Sequence, residues 1–262
     1  MKDVLSEILA HKQREVEKQK ELFPLQEIER KIEKQSYPFV SLKNALLSST
    51  HGIIAEFKRR SPSKLWINKS ADSSTIPLQY QQNGAAALSV LTDERYFGGT
   101  IKDLKQALSL TSIPVLRKEF IVDEYQIYES KMQGAHAILL IAAALTPQQC
   151  KRFTQIAQSI GLEVLLELHD EKEIEYISPL NNIIGINNRN LGSFDTRVEK
   201  SFKMIGQLPT EAVLISESGI SNPKTVYELR QAGYQGFLIG ENFMKTEQPG
   251  ESLKQFIADI HE

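Results

Sequence analysis

Cysteine occurs once in 262 residues, as Cys150, which excludes an intrachain disulfide and any metal site built on several thiolates. An excess of charge of one sign is also lacking. The formal balance is −2, so no overall field points to nucleic acid or to an anionic membrane. An anionic ligand must then be met by a local group of positive side chains. The five histidines (His11, His51, His136, His169, His261) are scattered, with no HExxH and no pair at ligand spacing. Each reads as a packed or surface residue, and no metal site is expected. Long hydrophobic runs are also missing: the longest, AHAILLIAAAL from Ala135, is too short for a membrane and suits a buried strand. The N-terminal MKDVLSEILAHKQREVEKQK breaks its apolar stretches with charge, unlike a signal peptide or a spanning helix, so a cytoplasmic chain is expected.

What is present is an ordinary globular mixture, with 41% hydrophobic and 24% charged residues. Single α/β barrels commonly reach this length, and folding at this size buries roughly 70–75% of the unfolded surface. From Asp3 to about Glu21, Val4, Leu5, Ile8 and Leu9 followed by charges predict an amphipathic helix. A second polar helix is predicted from Gln26 to Lys34, after Pro24. Both read as solvated helices packed by one apolar edge.

After Pro38 short β-rich runs alternate with segments of helical period, punctuated by Gly, Pro and Asn. The strand candidates are GIIAEFK, AALSVLT, IPVLRKEF, AHAILLI, LEVLLEL, IIGINNR, AVLISES and GFLIG, beginning near residues 52, 86, 113, 135, 162, 183, 212 and 236. Eight strands with helical crossovers predict a single (β/α)8 barrel, the TIM-barrel form of the α/β class. A doubly wound sheet also alternates its elements, but the dinucleotide fingerprint GxGxxG is absent and eight strands favour closure. No composition break divides the chain, so residues 1–262 are expected to form one domain, of which about 1–48 is an N-terminal helical extension.

Active sites of such barrels lie at the C-terminal ends of the strands, where the βα loops converge. Alternation with period two puts Glu56 and Lys58 on one side of the first strand, and Asn187 with Arg189 on the sixth. Lys118 ends the third strand, Glu167 the fifth and Glu217 the seventh. Any one of these could be a solvated strand end or half of a structural ion pair. Together they put three carboxylates, two lysines, an arginine and an amide at one mouth, and burying such charges costs several kcal/mol each unless they are paired. A separate signal comes from SESGI (Ser216–Ile220) and LIGENFM (Leu238–Met244), which place glycines after strands seven and eight. Small residues there let backbone N–H groups approach an anion, and a short helix after strand eight can aim its positive end at phosphate. Glu241 would repel phosphate, so its side chain is expected to point away.

The motifs resemble those of the indole-3-glycerol-phosphate synthase family over nearly the whole barrel. They are IIAEFKRRSPS (Ile53–Ser63), SVLTD (Ser89–Asp93), FGGT (Phe97–Thr100), PVLRKEFIVDEYQI (Pro114–Ile127), GAHAILLIAAAL (Gly134–Leu145), LLELHDEKE (Leu165–Glu173), IGINNRNL (Ile184–Leu191), SESGI and IGENFM. The set AEFKRRSPS, LRKEF and GINNRNL is the most specific. The resemblance implies conversion of 1-(2-carboxyphenylamino)-1-deoxyribulose 5-phosphate to indole-3-glycerol phosphate, carbon dioxide and water, without a cofactor. It also implies a small-molecule partner, a phosphorylated anthranilate derivative, and a chain that can work as a monomer.

By the same resemblance Lys118 is the general acid for ring closure, and Glu167 and Lys58 share the proton transfers of dehydration. Glu56 and Asn187 orient and polarise the reacting centre, while Arg189 and Glu217 hold the charged network. Ser218, Gly219, Gly240 and Glu241 cradle phosphate with Lys58. Ser61 and Ser63 shape the first loop, and Phe97 and Phe120 pack against the anthranilate ring, with plain loop and core packing as their competing role. A lysine acid works best with its pKa lowered toward the working pH; Lys58 and desolvation push that way, and Glu56 and Glu167 oppose it.

Three departures from the family pattern stand out. Lys64 is followed by Leu65 and Trp66 where the family usually has a glycine, which bears on closure of the first loop. His136 replaces a common acidic residue at a strand start, and LRKEF replaces the commoner LRKDF. Two other readings remain: another phosphate-binding barrel, such as phosphoribosylanthranilate isomerase, and a catalytically silent ligand-binding barrel.

Overall fold

Strands buried on both faces need apolar residues at nearly every position, and the eight β-rich runs supply them. In the computed structural model, which describes residues 4–35, 38–190 and 195–260, each run is a strand. They are β1 (Ile53–Phe57), β2 (Ala87–Leu91), β3 (Val115–Lys118), β4 (Ala137–Ile141), β5 (Glu163–Leu168), β6 (Ile183–Asn187), β7 (Val213–Glu217) and β8 (Gly236–Ile239). All pair in parallel and in chain order, and β8 closes on β1 with Ile53 opposite Phe237. Asp3, where the sequence pattern starts the first helix, and Leu191, the end of the sixth-strand motif, lie outside the described residues.

Alternation sorts each strand into two sets. Ile53, Ala55 and Phe57 of β1 face the helical shell, as do Leu166 and Leu168 of β5. Ile54, Ala87, Leu116, Ala137, Leu139, Leu165, Ile183, Val213, Ile215 and Leu238 fill the barrel interior. Continuing each inward series toward the C-terminal end brings Glu56, Lys118, Glu167, Asn187 and Glu217 into the uppermost layer. The interior is therefore apolar below and ionisable at the mouth, a layering that follows from strand register alone.

The N-terminal extension closes both ends. Helix α1 (Val4–Leu22) lays Leu5 and Ile8 over the mouth, in the same apolar cluster as Phe120 and Ile141. Helix α2 (Leu25–Lys34) packs beside it against the helix Glu124–Met132, through Ile28, Val16 and Tyr125. A third helix, α3 (Leu42–Ser48), which the sequence pattern had not signalled, plugs the opposite end with Leu42 and Leu46. Its N-terminus is fixed by the carboxylate of Glu163, which accepts from Ser41 Oγ (2.7 Å) and Lys43 N (3.2 Å). A carboxylate at this end also suits the helix dipole.

Helix α1 is more than a solvated helix held by one edge. The Lys12 ammonium is 5% exposed and lies 3.0 Å from Asp93 and 3.1 Å from Glu119. Burial opposes its charge, but Glu119 and Asp93 outweigh that and hold its pKa above the ordinary lysine value. Glu119 accepts in turn from Thr92 Oγ1 at 2.8 Å, and Thr92 accepts from Arg117. The helix is thus tied to the ends of β2 and β3, next to Lys118. Among the described residues no helix is long and apolar enough to cross a membrane.

Candidate active site

A cavity of about 410 Å³ opens at the C-terminal mouth and is lined by Glu56, Lys58, Lys118, Glu167, Asn187 and Arg189. Lys118 is its electrostatic centre. Its Nζ lies 2.5 Å from Glu217 Oε2 and 3.1 Å from Glu167 Oε2, so β3, β5 and β7 meet at one ammonium. Lys58 stands on β1's side of the cavity with Nζ 2.7 Å from Glu56 Oε1, as the alternation predicted.

Space for these carboxylates is left by two glycines. A Cβ on Gly185 would stand 2.2 Å from Glu217 Oε1, and one on Gly240 would stand 2.5 Å from Glu56 Oε1. Glycine on β6 and after β8 is therefore required by the ionisable layer itself, whatever else the turn after β8 does.

The carboxylates divide into two kinds. Burial opposes ionisation of Glu56, but Lys58 and Lys118 outweigh it and lower its pKa. Burial is likewise overcome at Glu167, by Lys118 and His169, and its carboxyl is held well below the usual range. Glu217 goes the other way. Burial, with the like charge of Glu167, pushes it up to about 8, and its Oε1 has no hydrogen-bond partner. Environments that separate paired carboxylates in this way mark acid–base chemistry. Burial lowers the pKa of Lys118, yet Glu217, Glu167 and Glu56 more than reverse this and raise it. The opposing influences weighed on the sequence thus resolve in favour of the carboxylates, and the free site holds Lys118 as a tightly paired ammonium.

Next to this cluster is the corner formed by the turns after β7 and β8. Ser218 (φ 67°) and Gly219 (φ 78°) both adopt left-handed backbone, a strained conformation for a serine. Asn188 holds the turn: its Nδ2 donates to Ser216 Oγ and to Ser218 O, both at 3.1 Å. A one-turn helix, Glu241–Met244, follows Gly240. Ser218, Gly219, Gly240 and Glu241 all line the cavity here.

Three expectations need correction. The Glu241 side chain does not turn away: its Oε1 is 2.5 Å from Lys64 and its Oε2 is 3.6 Å from Arg189. Two cations compensate the charge, so the carboxylate can remain in the corner. Arg189 consequently belongs to this corner and not to a network with Glu217; it also donates to Thr196. Third, His169 is not a bland histidine. Its Nε2 lies 3.0 Å from Glu167 Oε1, and it is 9% exposed behind the mouth. The rule that paired Lys58 with Glu56 would have found it, because His169 follows Glu167 by two residues, just past the end of β5.

Ser61 and Ser63 meet each other at 3.2 Å in a tight turn closed by the Ser61–Lys64 backbone pair, and Pro62 is the part of it that reaches the cavity. Arg59 anchors the base of this loop with two bonds to Asp103, at 2.7 and 2.8 Å. Phe97 and Phe120 do face the cavity, with ring centroids 5.9 Å apart, beside Leu5, Ile8, Leu139 and Ile141. That α1 supplies an apolar wall of the cavity is decided by the fold, since nothing in a helix's own pattern says which residues it docks against. Among the described residues no group of three or more His, Cys, Asp or Glu is disposed to hold a metal ion.

A layer of ionisable groups at the C-terminal mouth of a (β/α)8 barrel, lining an apolar cavity, has the form of a barrel enzyme's active site. The sequence profile for indole-3-glycerol phosphate synthase matches residues 5–256. The chain is 54% identical to the indole-3-glycerol phosphate synthase of Bacteroides thetaiotaomicron, over 99% of this chain and 100% of that protein. It is 40% identical to that of Polaromonas naphthalenivorans, with 99% and 100% covered. The chain belongs to the indole-3-glycerol phosphate synthase family, which sets aside the isomerase reading. In fold it is similar to a mutant tryptophan synthase α-subunit from Pyrococcus furiosus, with TM-score 0.60 and 14% identity over 80% of this chain and 97% of that one.

Proposed function

We propose that this barrel is a carboxy-lyase of tryptophan biosynthesis that closes the indole ring of 1-(2-carboxyphenylamino)-1-deoxyribulose 5-phosphate. The observation that carries the reading is Lys118, held between Glu167 and Glu217 on the wall of an apolar cavity that the glycine turns after β7 and β8 also line. The anthranilate ring lies among Phe97, Phe120, Leu5 and Ile8, and the phosphate at Ser218, Gly219, Gly240 and the Glu241 backbone, with Lys58 nearby. The ring carbon bearing the carboxylate attacks the ketone carbon, and Lys118 protonates the oxygen as charge develops there. The carboxylate leaves as carbon dioxide and its bonding electrons stay in the ring system. Glu167 and Lys58 then move the protons that expel the hydroxyl as water and restore aromaticity. Glu56 holds Lys58, and Asn187 polarises the reacting centre. Glu217 positions Lys118, Arg189 offsets the charge of Glu241, and Ser61 and Ser63 shape the turn that presents Pro62.

Residues 1–262 act in this reading as one domain in the cytoplasm, as a monomer with no nucleic-acid partner. The near-neutral charge supports the last point. Support for the monomer is that Leu22, Leu65 and Phe202, three of the exposed large apolar residues, sit on separate elements. Light scattering on the purified chain checks the monomer.

The deciding assay is turnover of the deoxyribulose phosphate, followed by indole absorbance, for wild type and Lys118→Ala. Product from wild type and a collapse of kcat by about 10²-fold or more in a folded variant is expected for loss of a general acid. No product from folded wild type overturns the reading.

A further inference from the structure

We propose that His169 is a positioning residue for the reaction, which clamps Glu167 from behind and supplies the cation that keeps it a carboxylate when Lys118 gives up its proton. The inference rests on the functional reading above, in which Lys118 and Glu167 both handle protons.

The geometry is a chain of four groups running outward from the cavity. Lys118 Nζ lies 3.1 Å from Glu167 Oε2, and His169 Nε2 lies 3.0 Å from Glu167 Oε1, so the two oxygens of one carboxylate face two different cations. On its other side His169 Nδ1 is 3.8 Å from Glu173 Oε2. The same Glu173 oxygen accepts from the backbone N–H of His169 at 2.5 Å, which fixes the start of the turn after β5. Of the four, Lys118 and Glu167 line the cavity and His169 does not. The imidazole therefore acts through Glu167.

The charges around His169 come from every element packed on it. Glu167 faces it from β5 and Glu173 from the short helix Glu171–Tyr176. Lys118 and Glu217 stand beyond Glu167 on β3 and β7. From the helix Glu199–Met204, Lys200 faces the same Glu173 and Glu167, together with Asp170 and Asp195. Burial disfavours the imidazolium, but Glu167 and Glu173 reverse this and raise His169 to about 9. At neutral pH it is a cation.

That charge matters at a specific moment. Lys118 is the cation shared by Glu167 and Glu217, and once its proton passes to the ketone oxygen it is neutral. Glu167 would then be a buried carboxylate with only the Glu217 carboxyl beside it and no cation on the cavity side, and would take a proton before dehydration could use it. With protonated His169 beside Oε1, Glu167 stays ionised. An exchange of roles between neighbouring groups of this kind requires that the second cation not be part of the first proton transfer, and His169, outside the cavity, meets that condition.

The test is His169→Gln, which keeps a side-chain donor and removes the charge, with kcat and KM followed against pH. The expected result is KM within about twofold of wild type, kcat reduced by about tenfold, and an acid limb of kcat moved upward by about one pH unit. Glu173→Gln, which touches no group in the cavity, is expected to move the basic limb of kcat downward. Independently of turnover, nitrogen NMR of His169 is expected to titrate near 9 in wild type and to fall toward the ordinary histidine value in Glu167→Gln. A folded His169→Gln with the wild-type kcat profile, or a wild-type His169 titrating at its ordinary value, overturns the proposal. Wild type without turnover sinks the functional reading instead, whatever the NMR titration gives.

Discussion

Glu217 Oε2 lies 2.5 Å from the Lys118 ammonium while its other oxygen is buried against Gly185 with no partner. One short contact thus joins the candidate proton donor to the carboxyl that burial makes hardest to ionise.

From this follows a pH dependence. The pKa of Glu217 is raised from 4.5 to about 8, first by burial, so the folded state binds the proton that the unfolded chain releases. Its contribution to stability is complete below about 4.5 and is lost as pH rises through about 8. Glu217→Gln is therefore expected to gain melting temperature relative to wild type between about pH 5 and 8, and the gap to level off above that. A gap that stays constant over this window would refute the assignment. Wild-type kcat/KM is expected to fall through about 8, where ionised Glu217 makes Lys118 a weaker acid, and whatever activity the variant retains should lack that fall.

Gly185→Ala puts a Cβ 2.2 Å from Glu217 Oε1. Overpacking of this kind costs about 1–3 kcal/mol, and a misplacement near 1 Å costs roughly a hundredfold in rate. Urea unfolding and kcat are expected to show both losses; a variant with wild-type kcat would mean that Glu217 need not sit where it does.

Lys12→Ala leaves Asp93 and Glu119 buried without their common cation. Removing one partner of a buried ion pair costs about 3–5 kcal/mol. Denaturation is expected to show that loss, and KM to rise as Leu5 and Ile8 lose their seat over the mouth. Adding Asp93→Asn and Glu119→Gln should restore part of the stability, because no charge is then left unpaired.

Trp66 is the single tryptophan and lies in the loop after β1, half exposed, with Arg60 5.3 Å and Lys69 5.5 Å from its ring. Neither cation nor the ring lines the cavity. Binding of substrate is expected to change its fluorescence by moving the loop that carries Lys64 toward or away from Glu241. An unchanged spectrum at saturation would argue that the loop is already in its working position.

Much of this was legible beforehand. Strand alternation depends only on the chain's own geometry, so the eight strands, their closure and the inward set Glu56, Lys118, Glu167, Asn187 and Glu217 could all be read from the sequence by itself. Glycines after β7 and β8 likewise marked two turns that line the cavity. What the tertiary structure alone decided were the relations between distant segments. Lys64 and Glu241 are far apart in the chain, as are Lys12 and Glu119, and no local pattern says that they meet. The docking of α1 over the mouth, the plug formed by α3 and the split of Glu167 from Glu217 all depend on which charges and apolar faces arrive together. Local periodicity fixes which way a side chain points; only the packed fold fixes what it points at, and for a buried charge that partner sets its protonation.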